Sequence, residues 1–142
     1  MYIQAQTGIS VSDDVINEFN EMKLKRISPK FIVYSIVDGQ IVTENRGETE
    51  ASFEEFISNL PADDCRYAIY DMDFTTTDGR PGNKLVMVSW APDSAKVKSK
   101  MIYAGSKDAL TRALVGVSTK ITATDLSELT VDAMVEACRK FA

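Results

Sequence analysis

Apolar residues recur at helical spacing close to the N-terminus. Val15, Ile16, Phe19 and Met22 share one face of a helical wheel. A serine and two aspartates at 12–14 precede this stripe, and three basic residues at 23–26 follow it, as the two ends of a helix dipole favour. The pattern predicts a helix that begins at Ser12 and buries its apolar stripe.

A hairpin and a second helix come next. The apolar runs FIVYSIV and QIVTE flank Asp38-Gly39, a dipeptide that favours a two-residue turn because both positions tolerate positive φ. Ser52 and Glu55 have the spacing of a capping box. This spacing predicts a short helix, which Pro61 ends.

Strands and helices then alternate to the end of the chain. CRYAIYDMDF and KLVMVSW are mainly apolar, which is typical of central strands covered on both faces, and the polar loop TTTDGRPGN joins them. VSTKITA predicts a short last strand and VDAMVEACRKF a last helix. With a long helix over 92–114 between the last two strands, this order predicts one α/β domain over residues 1–142, with a mixed sheet and helices on both faces.

The apolar residues of segment 92–114 lie on two different faces of the helical wheel. Val97, Met101 and Ala104 share one side, whereas Ala109, Leu110, Ala113 and Leu114 lie nearly opposite. We therefore expect a kink or local irregularity at Gly105-Ser106, with the second half docked on the sheet and Met101 left partly outward. Lys96, Lys100 and Lys107 form one stripe on this wheel, and Lys98 points elsewhere.

Charge sets this helix apart from the rest of the chain. The whole chain carries a net charge of −5, yet segment 92–114 holds five basic and two acidic residues, so its +3 leaves −8 for the other residues. Lysines can simply solvate an exposed face. Their excess over acidic residues, and the methionine among them, favour instead a binding face for a local acidic partner, and the pattern leaves both interpretations open. A chain with this net charge is not expected to bind nucleic acid.

Compartment and cysteine state are predicted from what the chain lacks. No apolar run approaches the roughly 18 residues that a membrane helix requires, so we expect no membrane span. The N-terminus has neither a basic leader nor an apolar stretch, which favours a cytoplasmic protein. Cys65 and Cys138 are then expected to be free, buried thiols.

Several catalytic and metal-binding patterns are missing from the sequence. The chain contains no histidine, which removes Ser-His and Cys-His pairs and the commonest nitrogen ligand of zinc. Asp71 and Asp73 alternate along a strand, but neither begins an EF-hand loop, whose twelfth residue would have to be glutamate. We expect these aspartates to be structural or solvated. The sequence predicts a protein that is not an enzyme and that needs no metal or cofactor.

The central block of the chain resembles the actin-depolymerising factor/cofilin family. LPADDCRYAIYD, WAPDSAKVKSKM and IYAGSKDALTRAL are very similar to that family's sequence, and ATDLSEL before a terminal helix resembles its end. The similarity runs from about Thr7 to Phe141. It implies a mixed, mostly antiparallel sheet of five to six strands between helices. It also implies a protein that binds actin monomers and filament sides, prefers ADP-actin, and severs and depolymerises filaments.

The resemblance also implies the residues of the binding surfaces. Those that match the monomer-binding surface are Thr7, Gly8, Ile9, Lys98, Lys100 and Met101. Those that match the filament-binding surface are Lys84, Glu136 and Lys140. Thr7 stands where family members carry a serine whose phosphorylation switches binding off, and Ser10 is a second candidate. Residues 1–6 are expected to form a flexible extension.

Two departures from the family pattern keep alternatives open. Gly82 and Ala137 stand where members often carry basic residues, which predicts weaker filament binding or severing. One alternative to a severing, monomeric factor is a same-fold actin regulator with weak or no severing. Another is a phosphoinositide-binding module, because the same lysines can attract phosphoinositide head groups in competition with actin.

Overall fold

Six strands form one mixed sheet. In the computed structural model, which describes residues 8–117 and 119–140, the strands follow the spatial order β1-β3-β2-β4-β5-β6. Their bounds are β1 Ser10–Val11, β2 Phe31–Val37, β3 Gln40–Arg46, β4 Arg66–Thr75, β5 Pro81–Trp90 and β6 Thr119–Ala123. The pairs β1-β3 and β5-β6 at the two edges are parallel, and the three pairs between them are antiparallel. The predicted mixed and mostly antiparallel sheet is confirmed.

Four α-helices cover the sheet on both faces. They are α1 Asp13–Lys23, α2 Phe53–Ser58, α3 Val97–Ala113 and α4 Val131–Lys140, with a 3-10 turn at Leu126–Glu128. Successive side chains of a strand point to opposite faces, so Met87 of β5 packs in the cluster with α1 and α3, whereas Val86 and Val88 pack in the cluster with α2 and α4. The strand β5 is therefore buried on both faces, as its apolar run predicts.

Local signals in the sequence set the element boundaries. The hydroxyl oxygen of Ser12 accepts a hydrogen bond from the amide of Asp14 at 3.2 Å, and that of Ser52 accepts one from the amide of Glu55 at 3.1 Å. These bonds satisfy amides that the first turn of a helix leaves unpaired. Asp38 has a φ of 51° and the glycine after it a φ of 76°, as the hairpin turn requires. Both helix starts and the hairpin are confirmed.

Two predicted boundaries and one predicted irregularity are wrong. The helix α3 begins at Val97 and not near Pro92, because residues 92–96 form a turn and an extended cap. The strand β5 begins at Pro81, so the polar connection from β4 is only residues 76–80. The helix α3 runs without interruption through Gly105-Ser106, where we expected an irregularity.

The helix α3 buries one continuous face, and that face includes polar side chains. Tyr103, Ser106, Ala109, Leu110 and Ala113 are buried. Ser106 is tolerated there because its hydroxyl donates to the carbonyl of Ile102 at 2.7 Å. The sequence prediction docked only the second half of the helix on the sheet, and so missed that Tyr103 and Ser106 extend the buried face.

The cysteines and the helices agree with two further expectations. Cys65 and Cys138 are free and buried, as predicted. Among the residues that the structure describes, no helix is both long enough and apolar enough to cross a lipid bilayer.

Candidate functional site

An exposed, positively charged ridge runs along the first turns of α3. We call Lys96, Val97, Lys98, Lys100 and Met101 the α3 ridge. Val97 is 71% exposed and Met101 is 68% exposed, one helical turn apart. Large apolar side chains that stay this exposed among charges are typical of binding sites. The predicted outward position of Met101 is confirmed, and the structure adds Val97 beside it.

The lysines of the ridge are placed against the helix dipole. The first turn of α3 contains no acidic residue, and its N-cap Lys96 makes no side-chain capping bond. Cations at a helix N-terminus cost about 0.3–1 kcal/mol each. The stability of the helix therefore does not explain why lysines stand here. Conflicts between a local rule and the observed sequence concentrate at functional sites.

The predicted lysine stripe divides into residues with different contacts. Lys100 is half-buried, and its ammonium donates to the carbonyl of Asp93 at 2.7 Å. Lys107 is also half-buried and donates to the hydroxyl of Thr122 at 2.9 Å. Lys98 is exposed. Lys98 and Lys100 both precede Met101 in sequence, and of the two only Lys98 is exposed.

Hydrogen bonds fix the ridge against the sheet. The hydroxyl of Ser99 donates to Asp64 at 2.9 Å, and Arg66 bonds the same carboxylate at 2.9 Å and Glu44 at 2.9 Å. One turn later, the hydroxyl of Tyr103 accepts from the amide of Ile36 at 3.0 Å. The hydroxyl of Tyr67 donates to the carbonyl of Tyr103. The ridge therefore stands on a helix that β2 and β4 hold in place.

These contacts shift the acid–base properties of the groups below the ridge. Burial opposes ionisation of Asp64, but hydrogen bonds from Arg66, Ser99 and the amide of Cys65 outweigh it, so the pKa of Asp64 is lowered. Burial raises the pKa of the Cys65 thiol. This cysteine stays a neutral, protonated thiol at neutral pH, while the aspartate stays charged.

The N-terminal residues assigned to the same surface are only partly described. Thr7 lies outside the described residues. Gly8 is exposed with a φ of 83°, and Ile9 packs partly buried against the core cluster that includes α3 residues. Ser10 is 8% exposed in β1, and its amide donates to the carbonyl of Gly39 at 3.1 Å. A kinase would have to open β1 to reach Ser10, so the burial of this serine argues against its phosphorylation.

The residues assigned to filament binding lie together on another side of the molecule. Lys84 of β5 is half-buried, and its ammonium donates to the carbonyl of Cys138 in α4 at 3.1 Å. Glu136 and Lys140 are exposed on α4. The structure thus brings Lys84 against the helix that carries the other two. The sequence reasoning missed Arg139, whose side chain reaches back to β4; its place in the last turn of a helix carried no signal beyond the dipole.

The neighbouring aspartates have a structural role. The side-chain amide of Asn83 donates to Asp71 at 2.5 Å and to Asp73 at 2.7 Å, and Lys30 pairs with Asp73 at 3.7 Å. Within the described ranges, no group of three or more histidine, cysteine, aspartate or glutamate side chains could hold a metal ion.

Gly82 is not a vacant place for a basic side chain. A Cβ atom added there would lie 2.6 Å from the ring of Phe74, which is 9% exposed and belongs to the apolar cluster under α2 and α4. The ring of Phe74 therefore occupies the space that a larger residue at position 82 would need. The packing of this protein therefore favours glycine at position 82.

Known proteins resemble the chain in sequence and in structure. Actin-depolymerizing factor 2 of Arabidopsis thaliana is 46% identical over 128 residues, covering 90% of this chain and 93% of the relative. Actophorin of Acanthamoeba castellanii is 41% identical over 94% of this chain and 97% of its own length. The crystal structure of Streptomyces griseoflavus cofilin superposes with a TM-score of 0.81 at 36% identity, covering 92% of this chain and 98% of that one.

The family match covers almost the entire described structure. The family described as cofilin/tropomyosin-type actin-binding protein matches residues 8–139. This range includes the α3 ridge, the hairpin of β4 and β5, and nearly all of α4. The chain belongs to the actin-depolymerising factor/cofilin family of actin-binding proteins.

Proposed function

We propose that this protein binds actin monomers and the sides of actin filaments, prefers ADP-actin, and promotes severing and depolymerisation. The observation that carries the proposal is the α3 ridge, in which two exposed apolar side chains stand among lysines on a helix fixed to the sheet. Its relatives are named for actin depolymerisation. The protein acts by binding, without catalysis, metal or cofactor.

The two kinds of side chain on the ridge have different roles in this proposal. Actin is acidic, so the lysines attract it over a distance and raise the association rate. Met101 and Val97 lose contact with water when the complex forms, which slows dissociation. Gly8 and Ile9, with Thr7 next to them in the sequence, are assigned to the same binding surface by the family resemblance. A phosphate on Thr7 would add about −2 charges to this surface and oppose acidic actin.

Filament binding uses a second surface made of Lys84, Glu136 and Lys140. Lys84 comes from β5, and Glu136 and Lys140 come from α4. The hydrogen bond from Lys84 to the carbonyl of Cys138 joins these two elements. With separate surfaces, one protein molecule can contact two actin subunits of a filament. We propose that the protein works as a monomer in the cytoplasm.

One experiment tests the core of the proposal. ADP-actin filaments are mixed with the protein at two salt concentrations, and cosedimentation and filament length are both measured. We expect cosedimentation, shorter filaments and more actin in the supernatant, with weaker binding at the higher salt. Absence of binding to both filaments and monomers at low salt would exclude the proposed function.

Two alternatives have specific support. The packing of Phe74 on Gly82, and Ala137 in α4, favour an actin regulator that binds filaments without severing them. Unchanged filament length despite cosedimentation would identify it. The exposed Lys96 and Lys98 favour phosphoinositide binding in competition with actin. Binding to phosphoinositide vesicles without any affinity for actin would favour that function over the first.

A further inference from the structure

Beyond the sheet, β4 and β5 continue as a two-stranded arm. The strand β2 pairs with β4 only as far as Tyr70, and β6 pairs with β5 only from Val86 onward. The intervening residues 72–84, which we call the hairpin arm, pair only with each other among the described residues. Lys84, assigned to filament binding, lies at its base. A two-stranded ribbon is marginally stable by itself, so contacts with the rest of the molecule decide how well this arm is held.

The last turn of α4 holds one side of the arm by two reciprocal hydrogen bonds. Arg139 donates from Nε to the carbonyl of Thr75, the last residue of β4, at 2.7 Å. Lys84 donates in the opposite direction, from β5 to the carbonyl of Cys138, at 3.1 Å. The final carbonyls of a helix have no partner within the helix, so the second bond also caps α4. Between the two bonds, Phe74 packs in the apolar cluster shared with α4.

Contacts on the opposite side of the arm are longer. Lys25 donates to Asn83 at 3.3 Å, and Lys30 lies 3.7 Å from Asp73, whose side chain is 76% exposed. Contacts at such distances contribute little to stability when one partner is exposed. The bond from Arg139 is the shortest side-chain contact between the described body of the protein and the far end of the arm.

We propose that Arg139 is a positioning residue for filament binding. It holds the hairpin arm against α4, so that Lys84 meets the filament in a fixed arrangement with Glu136 and Lys140. Its own side chain is half-buried and directed to Thr75, whereas Glu136 and Lys140 are exposed. This inference rests on the proposed binding to filament sides and adds a residue that does not itself touch the filament.

Three variants test the proposal. Arg139→Met keeps an unbranched, largely aliphatic side chain but removes its donors and its charge. Arg139→Lys keeps the charge and an ammonium donor. Lys120→Met is the matched control, because it removes the same charge from an exposed position on β6, outside both binding surfaces. Filament cosedimentation, monomer affinity and amide hydrogen exchange are measured for each.

Exchange reports on the arm without actin. The amides of Thr76 and Gly79 are hydrogen-bonded within the turn at the tip of the arm, at 2.8 and 3.0 Å. We expect them to exchange faster in Arg139→Met than in Lys120→Met, and at close to the wild-type rate in Arg139→Lys. Equal exchange rates in the two methionine variants would contradict the proposal that Arg139 holds the hairpin arm against α4.

Binding reports on the role of the tether. In Arg139→Met, filament affinity is expected to fall about two- to tenfold, the effect of one hydrogen bond, while monomer affinity stays at the wild-type value. The fold-change in filament affinity is expected to be the same at low and high salt. Salt screens a direct charge contact with actin, but it does not weaken a hydrogen bond within the protein to the same extent. A loss that disappears at high salt, or an equal loss in Lys120→Met, would overturn the positioning role. If the wild-type protein ignores filaments, the proposed function fails, and the exchange rates still decide whether Arg139 holds the arm.

Discussion

At the scale of single residues, one glycine is required by its neighbour rather than by its backbone. A Cβ atom on Gly47 would lie 2.3 Å from the ring of Phe31, which is fully buried and packs on Phe56 with ring centroids 5.4 Å apart. The amide of Gly47 donates to the carbonyl of Phe31 at 2.9 Å, so the backbone cannot move away without losing this bond. Nothing in the sequence pattern distinguishes this glycine from one in an ordinary loop.

We expect Gly47→Ala to lower the free energy of unfolding by about 1–3 kcal/mol, because the added methyl overpacks the core. Urea denaturation measures the effect. The matched control is Gly105→Ala, the same substitution at an exposed position inside α3, which should raise stability by about 0.5–1 kcal/mol. A Gly47→Ala protein as stable as the wild type would contradict the close packing.

Asp64 gives a second prediction at this scale, through pH. Its pKa is lowered in the folded protein, so its ionised form stabilises the fold above the pKa of the unfolded chain, and this contribution is lost as the pH falls through the folded pKa. Asp64→Asn should therefore lower the free energy of unfolding by about 1 kcal/mol at neutral pH, the effect of a partly exposed hydrogen-bonded pair. The difference from wild type should shrink below about pH 4.

Unfolding measured across this pH range tests the prediction. Asp63→Asn serves as the control, because it changes the same charge at an exposed neighbouring position with no side-chain bond found in the described chain. A difference between Asp64→Asn and wild type that stays constant with pH would show that the loss comes from packing and not from ionisation.

At the scale of elements, the lysines and the apolar side chains of the α3 ridge are proposed to affect different steps of binding to actin. We expect Lys98→Ala with Lys100→Ala to abolish most monomer binding and to reduce its salt dependence, because both changes remove charge. Met101→Ala should weaken binding by about 2 kcal/mol through faster dissociation, with salt dependence unchanged. Association and dissociation rates on ADP-actin monomers, measured at two salt concentrations, distinguish the effect of the lysines from that of Met101. Near-normal affinity of the double variant would contradict the assigned role of the ridge.

Most elements could be predicted from the sequence, and the error about the buried face of α3 has a clear physical origin. Caps at Ser12 and Ser52 and the turn at Asp38 are local signals, and local bonds form them. The buried face of α3 depends instead on particular hydrogen bonds, some to distant strands and one within the helix. Ser106 can be buried there because its hydroxyl donates to the carbonyl of Ile102. Tyr103 can be buried because its hydroxyl accepts from the amide of Ile36 and its carbonyl accepts from the hydroxyl of Tyr67. A wheel that counts only apolar residues cannot detect such partners.

The candidate site shows the same limit of sequence reasoning. The exposure of Met101 followed from its place on the helical wheel, nearly opposite the apolar residues of the second half of α3 that dock on the sheet. The contact of Lys84 with Cys138, and that of Arg139 with Thr75, join residues 54 and 64 positions apart. No spacing rule within one helix or strand predicts such a pair, so the coupling between the arm and α4 emerged only from the three-dimensional structure.

At the scale of the whole molecule, a positive ridge lies on a negative body, and the sheet separates the ridge from part of that negative charge. The far end of β2 adjoins Glu48, whose carbonyl accepts from the amide of Lys30, while the near end adjoins α3 through the bond between Ile36 and Tyr103. The six residue-to-residue steps from Phe31 to Val37 span about 20 Å. This distance exceeds the Debye length of about 8 Å at physiological salt. The α3 ridge therefore attracts its partner largely independently of the negative charge at the far end of β2.

This separation predicts that position, and not net charge, controls association with actin. Glu48→Gln with Glu50→Gln makes the chain less negative by two charges but should leave the association rate at physiological salt within about twofold of wild type. Lys98→Ala with Lys100→Ala changes net charge by the same amount in the other direction and should slow association markedly. At very low salt, where the Debye length rises to about 30 Å, the glutamate variant should associate faster than wild type. An equal and opposite change in the two variants at physiological salt would mean that the whole molecule, and not the ridge, steers the encounter.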